Sequence, residues 1–192
     1  MAVELASCGG GLDLLFGAET QEGMTWEELR HAVGEIGDLT PHLVPAERVS
    51  VLALGRPHGD SPDEAALSAV LRSLERSHDL VVVDAGDGAR LAELGRRVVP
   101  LLMVGADVRS VAAARMRARR IDLTGALLVV RVGKGRGLPP EAVSDALGLP
   151  LAGVVRDDPK VPRLAAQGAS VGSRPAARLR RDSARLLQEV RL

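Results

Sequence analysis

Five short apolar runs, none of them alternating in polarity, punctuate this 192-residue chain. They are residues 49–54 (VSVLAL), 80–83 (LVVV), 98–104 (VVPLLMV), 127–132 (LLVVRV) and 151–155 (LAGVV). Unbroken Val- and Leu-rich runs of this length suit strands buried on both faces, the environment of a parallel sheet. Residues 3–5 read as the stub of another strand. Helical patterns lie between the runs. Residues 61–77 place Ser61 at the N-cap, Pro62 at the first helical position and Glu64 three residues on. Thr25 caps residues 26–36, with Glu28 at the capping-box offset. Residues 108–121 are rich in Ala and Arg and favour helix, and 139–147, 161–167 and 175–190 complete the set. Strands alternating with helices specify an α/β fold, a mostly parallel sheet flanked by helices. Ligands of such sheets bind at the rim beyond the C-terminal strand ends.

The rest of the composition removes several functions. Apolar residues make up 46% and charged residues 26%, which is globular rather than disordered. The formal net charge is zero, and Phe16 and Trp26 are the only aromatics. Base-stacking platforms need more, so nucleic acid is not an expected partner. Cys8 stands alone, which excludes an intrachain disulfide and a cysteine zinc site. His31, His42, His58 and His78 have no metal-ligand spacing, and His58 and His78 read as solvated turn residues. Neither a signal-peptide pattern nor a run of ~20 apolar residues is present, and a cytoplasmic location is the expectation.

Two loops invite a phosphate reading. A phosphate-binding loop, GxxxxGK[ST], wraps phosphates in backbone N–H groups and neutralises them with its Lys. In "CGGGLD" the glycines Gly9, Gly10 and Gly11 are followed by Leu12 and Asp13, and a carboxylate repels phosphate. Lys134 in "GKGRG" is followed by Gly135 rather than Ser or Thr. Both loops read as turns, with Gly9–Gly11 leading into a helix near Leu12; anion contact through backbone amides is the alternative. "HDLVVVDAGDGARL" is more informative, because a buried strand ends at Asp84 on the rim. An acid there either holds Mg²⁺ or accepts hydrogen bonds from loop amides.

The order of these elements resembles the MinD/ParA-type deviant Walker ATPases, and within them the actinobacterial CpaE-like branch. That branch includes septum site-determining (Ssd) proteins and the TadZ/CpaE proteins of Tad pilus and secretion loci. The resemblance covers nearly the whole chain. "VELASCGGGLDLLFG" is similar to the segment after the nucleotide loop, and "HDLVVVDAGDG" to the switch II strand. "VPLLMVGADVRSVAAARMRARRI" is similar to the next strand and helix. "VSDALGLPLAGVVRDDPKVPRLAAQGASV" carries the most specific signature, LG-LP-x-x-G-V before an acidic turn.

The resemblance implies a P-loop NTPase fold and, equally, points to departures from it. The nucleotide loop, KGGxGKT, belongs about twenty to thirty residues before "GGGLD", which places it upstream of Met1 and implies an N-terminally truncated single domain over residues 1–192. Glu4 stands for the first switch I acid and is the one candidate catalytic residue; Ala6 replaces the second acid and Ser7 the proline. Asp84 keeps the switch II acid, with Mg²⁺ reached only through a nucleotide, and Gly86 holds the switch II proline position. Gly9, Gly10, Gly11, Asp84 and Gly86 are the candidate cofactor contacts. Val130, before Arg131, stands where an Asn reads adenine, and it has no donor or acceptor to offer. The resemblance therefore implies a regulator or scaffold of division-septum or Tad pilus and secretion machinery, without ATP hydrolysis by this chain. Its alternative is a dimerising ATPase that takes ATP and Mg²⁺ on an upstream loop. Partner proteins and a homodimer are the implied interactions; the basic C-terminal stretch Arg174–Leu192 reads as a helix packed on the sheet with solvated arginines, with peripheral membrane contact as the alternative. Loss of a mid-sheet strand would leave two edges with unpaired backbone groups.

Overall fold

The computed structural model describes residues 1–6, 11–55, 61–95 and 98–190. Two compact units are present: Met1–Arg96 with Arg163–Val171, and Arg97–Pro162 with Gly172–Leu192.

In the first unit four strands form a sheet: β1 (Ala2–Glu4), β2 (Val44–Ala46), β3 (Val49–Leu52) and β4 (Val82–Asp84), in the order β2-β3-β1-β4. β1 runs parallel to β3 and β4, whereas β2 folds back antiparallel on β3. Around the sheet lie α1 (Leu12–Phe16), α2 (Trp26–Leu29) and α3 (Glu64–Ser77). α3 buries Ala66, Leu67, Val70, Leu71 and Leu74 along one face, the 3.6-residue spacing of an amphipathic helix. Its N-cap is Asp63 rather than the expected Ser61. The Asp63 carboxylate accepts the Ala66 N–H at 2.8 Å, so the helix starts two residues later than Pro62 suggested. The Thr25–Glu28 capping box forms as expected. The helix it opens stops at Leu29 instead of running to residue 36. Trp26 and Leu29 are buried, but Val33 is 75% exposed and Gly34 has φ +82°, so no apolar face carries the helix onward. His78 is not the solvated residue the sequence suggested. It ends α3 with Nδ1 3.2 Å from the Leu74 carbonyl, and its Nε2 is buried without a partner among the described residues. His58 lies outside the described residues.

In the second unit β5 (Leu101–Gly105), β6 (Leu127–Val132) and β7 (Leu151–Arg156) form a wholly parallel sheet in that order. The helices here are α4 (Val108–Ala118), α5 (Pro140–Leu147) and α7 (Ala177–Val190); α6 spans Val161–Ala166. Val104, Ala106, Ala114, Leu128, Val130 and Val143 form the core beneath α4 and α5. α7 lies along β7, and a Cβ on Gly153 would stand 3.3 Å from Leu186 Cδ1.

β4 and β5 each lie at an edge of their sheet with exposed side chains, which corrects for these two strands the expectation of burial on both faces. Val82 N–H donates to Met1 and Asp84 C=O accepts from Leu5, so the intervening Val83 turns its backbone groups away from β1. Leu127 N–H donates to Pro100 and Ala106 N–H to Arg131, so Leu101 and Met103 turn theirs away from β6. Val82, Leu101 and Met103 are 53%, 43% and 58% exposed.

Candidate functional site

The C-terminal rim of the first sheet carries the two acids singled out by the sequence. β1 and β4 pair with Glu4 opposite Asp84, which sets both side chains on the same face of neighbouring strands. Their surroundings differ. Glu4 is buried, and its Oε2 accepts the Leu54 N–H at 3.2 Å. Its own carbonyl accepts the indole N–H of Trp26 at 2.8 Å, and the Trp26 N–H donates to the Ala53 carbonyl. Glu4 thus joins β1, α2 and the segment after β3. Asp84 is exposed, and its Oδ1 accepts the Gly86 N–H at 3.0 Å, the loop-amide option that the sequence left open. Gly86 has φ +57°, and a Cβ there would lie 3.0 Å from Ala6 Cα and Cβ. The loop after β4 crosses Ala6 at a distance that only glycine permits. Of the glycine run, Gly11 has φ +93° and precedes α1 directly, as a turn requires; Gly9 and Gly10 lie outside the described residues. Among the described residues no three His, Cys, Asp or Glu side chains group as a metal site.

The rim of the second sheet holds a charged cluster that the sequence did not single out. Arg131 at the end of β6 donates from Nε to Asp157 Oδ1 at 2.7 Å. Arg136, in the loop after β6, donates from Nη1 to Asp157 Oδ2 at 2.7 Å, and its Nε lies 3.7 Å from Asp107 Oδ2. Asp107 also caps α4, accepting the Ser110 N–H at 2.9 Å and its hydroxyl at 2.8 Å. The hydrogen bond from Arg131, with the charges of Arg131 and Arg136, holds the Asp157 carboxyl below the usual range against partial desolvation. The partners are 26 and 21 residues apart in sequence, so only the parallel β6–β7 register brings them together. Val130, the adenine-reading position of the resemblance, is wholly buried in the core, while the next residue, Arg131, points out to the rim.

Gly133 makes this cluster possible. A Cβ there would lie 2.0 Å from Asp157 Oδ2, inside any allowed contact. Gly133→Ala is expected to displace Asp157 and open the Arg131–Asp157–Arg136 arrangement, at a cost of about 1–3 kcal/mol. Urea unfolding measures the loss, and faster hydrogen exchange over residues 131–137 locates it.

No family model matches the chain. Two uncharacterized proteins of Mycobacterium tuberculosis, from strains H37Rv and CDC 1551, are each 31% identical over 168 residues. That covers 84% of this chain and 48% of each relative, so the chain spans about half the length of the curated relatives it matches. Among solved structures, MinD of Aquifex aeolicus superposes with TM-score 0.70 at 17% identity, covering 97% of this chain and 83% of that one. A ParA family ATPase of Chlorobium tepidum gives 0.72 at 11% identity, with 98% and 83% covered. MinD of Pyrococcus horikoshii, solved with Mg-ADP, gives 0.65 at 19% identity, with 99% and 82% covered. The fold is that of the MinD/ParA-like P-loop NTPases: a mixed α/β structure with parallel strands flanked by helices.

Proposed function

We infer that this chain is a regulatory or scaffold member of the MinD/ParA-like group, of the CpaE-like, Ssd and TadZ branch. It acts through protein contacts in placing the division septum or Tad pilus and secretion machinery, and its own residues 1–192, taken as one α/β domain, do not hydrolyse ATP. The observation that carries the reading is the state of Glu4. The carboxylate that would orient an attacking water is 5% exposed and bonded to the Leu54 amide. A general base has to reach the proton it takes, and this one is spent on holding the rim together. Fold neighbours include a MinC:MinD cell division complex of Aquifex aeolicus, which supports protein partners and a division role. The loop Asp84–Gly88 and the arginine-rich α4 are the surfaces assigned to those contacts, with a homodimer as a further partner.

No described helix is long and apolar enough to cross a membrane. Peripheral contact through Arg174–Leu192 at the inner face of the plasma membrane would rest on Leu187, 52% exposed, and the outward arginines of α7. Asp182 and Leu186 are turned to β7 and contribute nothing to it.

The test is titration of residues 1–192 with a fluorescent ATP analogue, with and without Mg²⁺. No Mg²⁺-dependent saturation is the expected result, and micromolar Mg²⁺-dependent binding overturns the reading. A second reading, an ATPase whose phosphate loop lies outside these residues, is favoured by exposed Asp84 and the open edge of β4. It requires an in-frame GKGGxGKT-like segment in the DNA upstream of Met1, and it fails without one.

A further inference from the structure

α4 presents an outward face with an unusual composition. Val108, Ala112 and Met116 are spaced four residues apart and share one side of the helix. Val108 is 72% exposed and Met116 56%, while Ala114 and Val111, on the opposite side, pack into the core. Arg109 flanks the apolar stripe on one side and Arg115 on the other, and Arg117, Arg119 and Arg120 follow. All five arginines are exposed. The segment Val108–Ile121 contains no acid, and among the described residues none of the five arginines has a carboxylate partner. Elsewhere in this unit Arg131, Arg136 and Arg156 are ion-paired, while, among the described residues, Arg178, Arg180, Arg181 and Arg185 of α7 are not. Asp107, Asp157 and Asp182 of the same unit are held by other partners.

We propose that this face of α4 docks an amphipathic helix of a partner protein, its apolar stripe meeting Val108, Ala112 and Met116 and its flanking Glu or Asp residues meeting Arg109 and Arg115. This rests on the regulator reading and names the partner's chemistry. Helix-on-helix docking is read from anchors at i, i+4 and i+8 with charge along the margins, which is the pattern here. The unpaired arginines supply partner choice and steering, because an approaching acidic surface meets five cations with no internal competitor. Duplex DNA fits less well. Phosphates need cations on the crest of the helix, whereas the crest carries Val and Met, and the face has no aromatic residue. A lipid surface also fits less well, since the apolar stripe is one residue wide and the rest of α4 is fixed to the sheet.

The probe is a stapled helical peptide with Leu at i, i+4 and i+8 and Glu on both flanks, titrated by fluorescence anisotropy at low salt. Its control is a peptide of identical composition with the Leu and Glu positions scrambled. Binding with Kd on the order of 10–100 µM is expected, at least about tenfold tighter than the scrambled control. Arg109→Glu with Arg115→Glu, and separately Met116→Ser, should each weaken it about tenfold with unchanged circular dichroism. The proposal is overturned by no binding, by equal binding of the scrambled peptide, or by tighter competing binding of a DNA duplex or of phosphatidylglycerol vesicles. These titrations contain no nucleotide, so their failure is separate from the ATP-analogue result that would sink the regulator reading.

Discussion

Trp26→Ala should lower the unfolding free energy by about 3–5 kcal/mol, the usual cost of emptying a large core aromatic site. Trp26 is 0% exposed, and its indole N–H donates to the Glu4 carbonyl at 2.8 Å. The substitution therefore removes packing and also leaves a buried rim carbonyl without its donor. For a chain of this size the fall in Tm should be on the order of 10 °C. Trp26→Phe retains much of the volume but not the hydrogen bond, and should cost about 1–2 kcal/mol. Thermal unfolding followed by circular dichroism measures both, since Trp26 is the only tryptophan and its fluorescence disappears in each variant. Because the same indole anchors the end of β1, hydrogen exchange at Leu5 and Leu54 should quicken before the far strands are affected.

Asp182→Ala should cost about 2–3 kcal/mol, and it should change how stability depends on acid. The Asp182 side chain is 2% exposed. It accepts the Arg156 backbone N–H at 2.9 Å and Nε at 3.0 Å, and a further bond from Nη2. Removing it leaves an edge amide of β7 unpaired and a guanidinium without its counter-ion. Half of the pair's other member is solvated, since Arg156 is 43% exposed, which keeps the cost below that of a wholly buried pair. The hydrogen bonds and charge of Arg156 hold the Asp182 carboxyl below the ordinary range, although burial opposes this. A depressed folded pKa means that the stabilisation is complete above the ordinary carboxylate value of about 3.9 and is lost as pH falls through the lowered one. Asp157, depressed by Arg131 and Arg136, contributes with the same sign. The wild-type protein should thus lose stability steeply on acidification below about pH 4, and Asp182→Ala should flatten that limb. Urea midpoints measured between pH 7 and pH 3 for both proteins check it.

Much of the fold was legible because its strands are unbroken apolar runs, whether buried on both faces like β6 or exposed at an edge like β5. Residues 127–132 were read with the bounds that β6 has, and residues 151–155 fall one short of β7. β2 went unread: it is three residues long, carries Pro45, and exists through its antiparallel pairing with β3. Helix ends were less legible than helix existence. Ser61 and Asp63 are both capping residues, and the choice between them depends on which side chain reaches a free amide. The candidate site divided in the same way. Asp84 could be placed at a strand end from its apolar run, and Gly86 and Gly11 have the positive φ that their turns need.

Residue spacing alone was enough for the strand–helix alternation, the rim position of Asp84 and the amphipathic face of α3, because each is a local pattern with a period. Which carboxylates are spent on structure was decided by pairing across the chain. Glu4 meets an amide 50 residues away, and Asp157 and Asp182 meet arginines 26 residues away. Strand register and helix docking create those encounters, and no spacing within a short window records them. The same long-range geometry left the five arginines of α4 without acids and made the helix an outward surface.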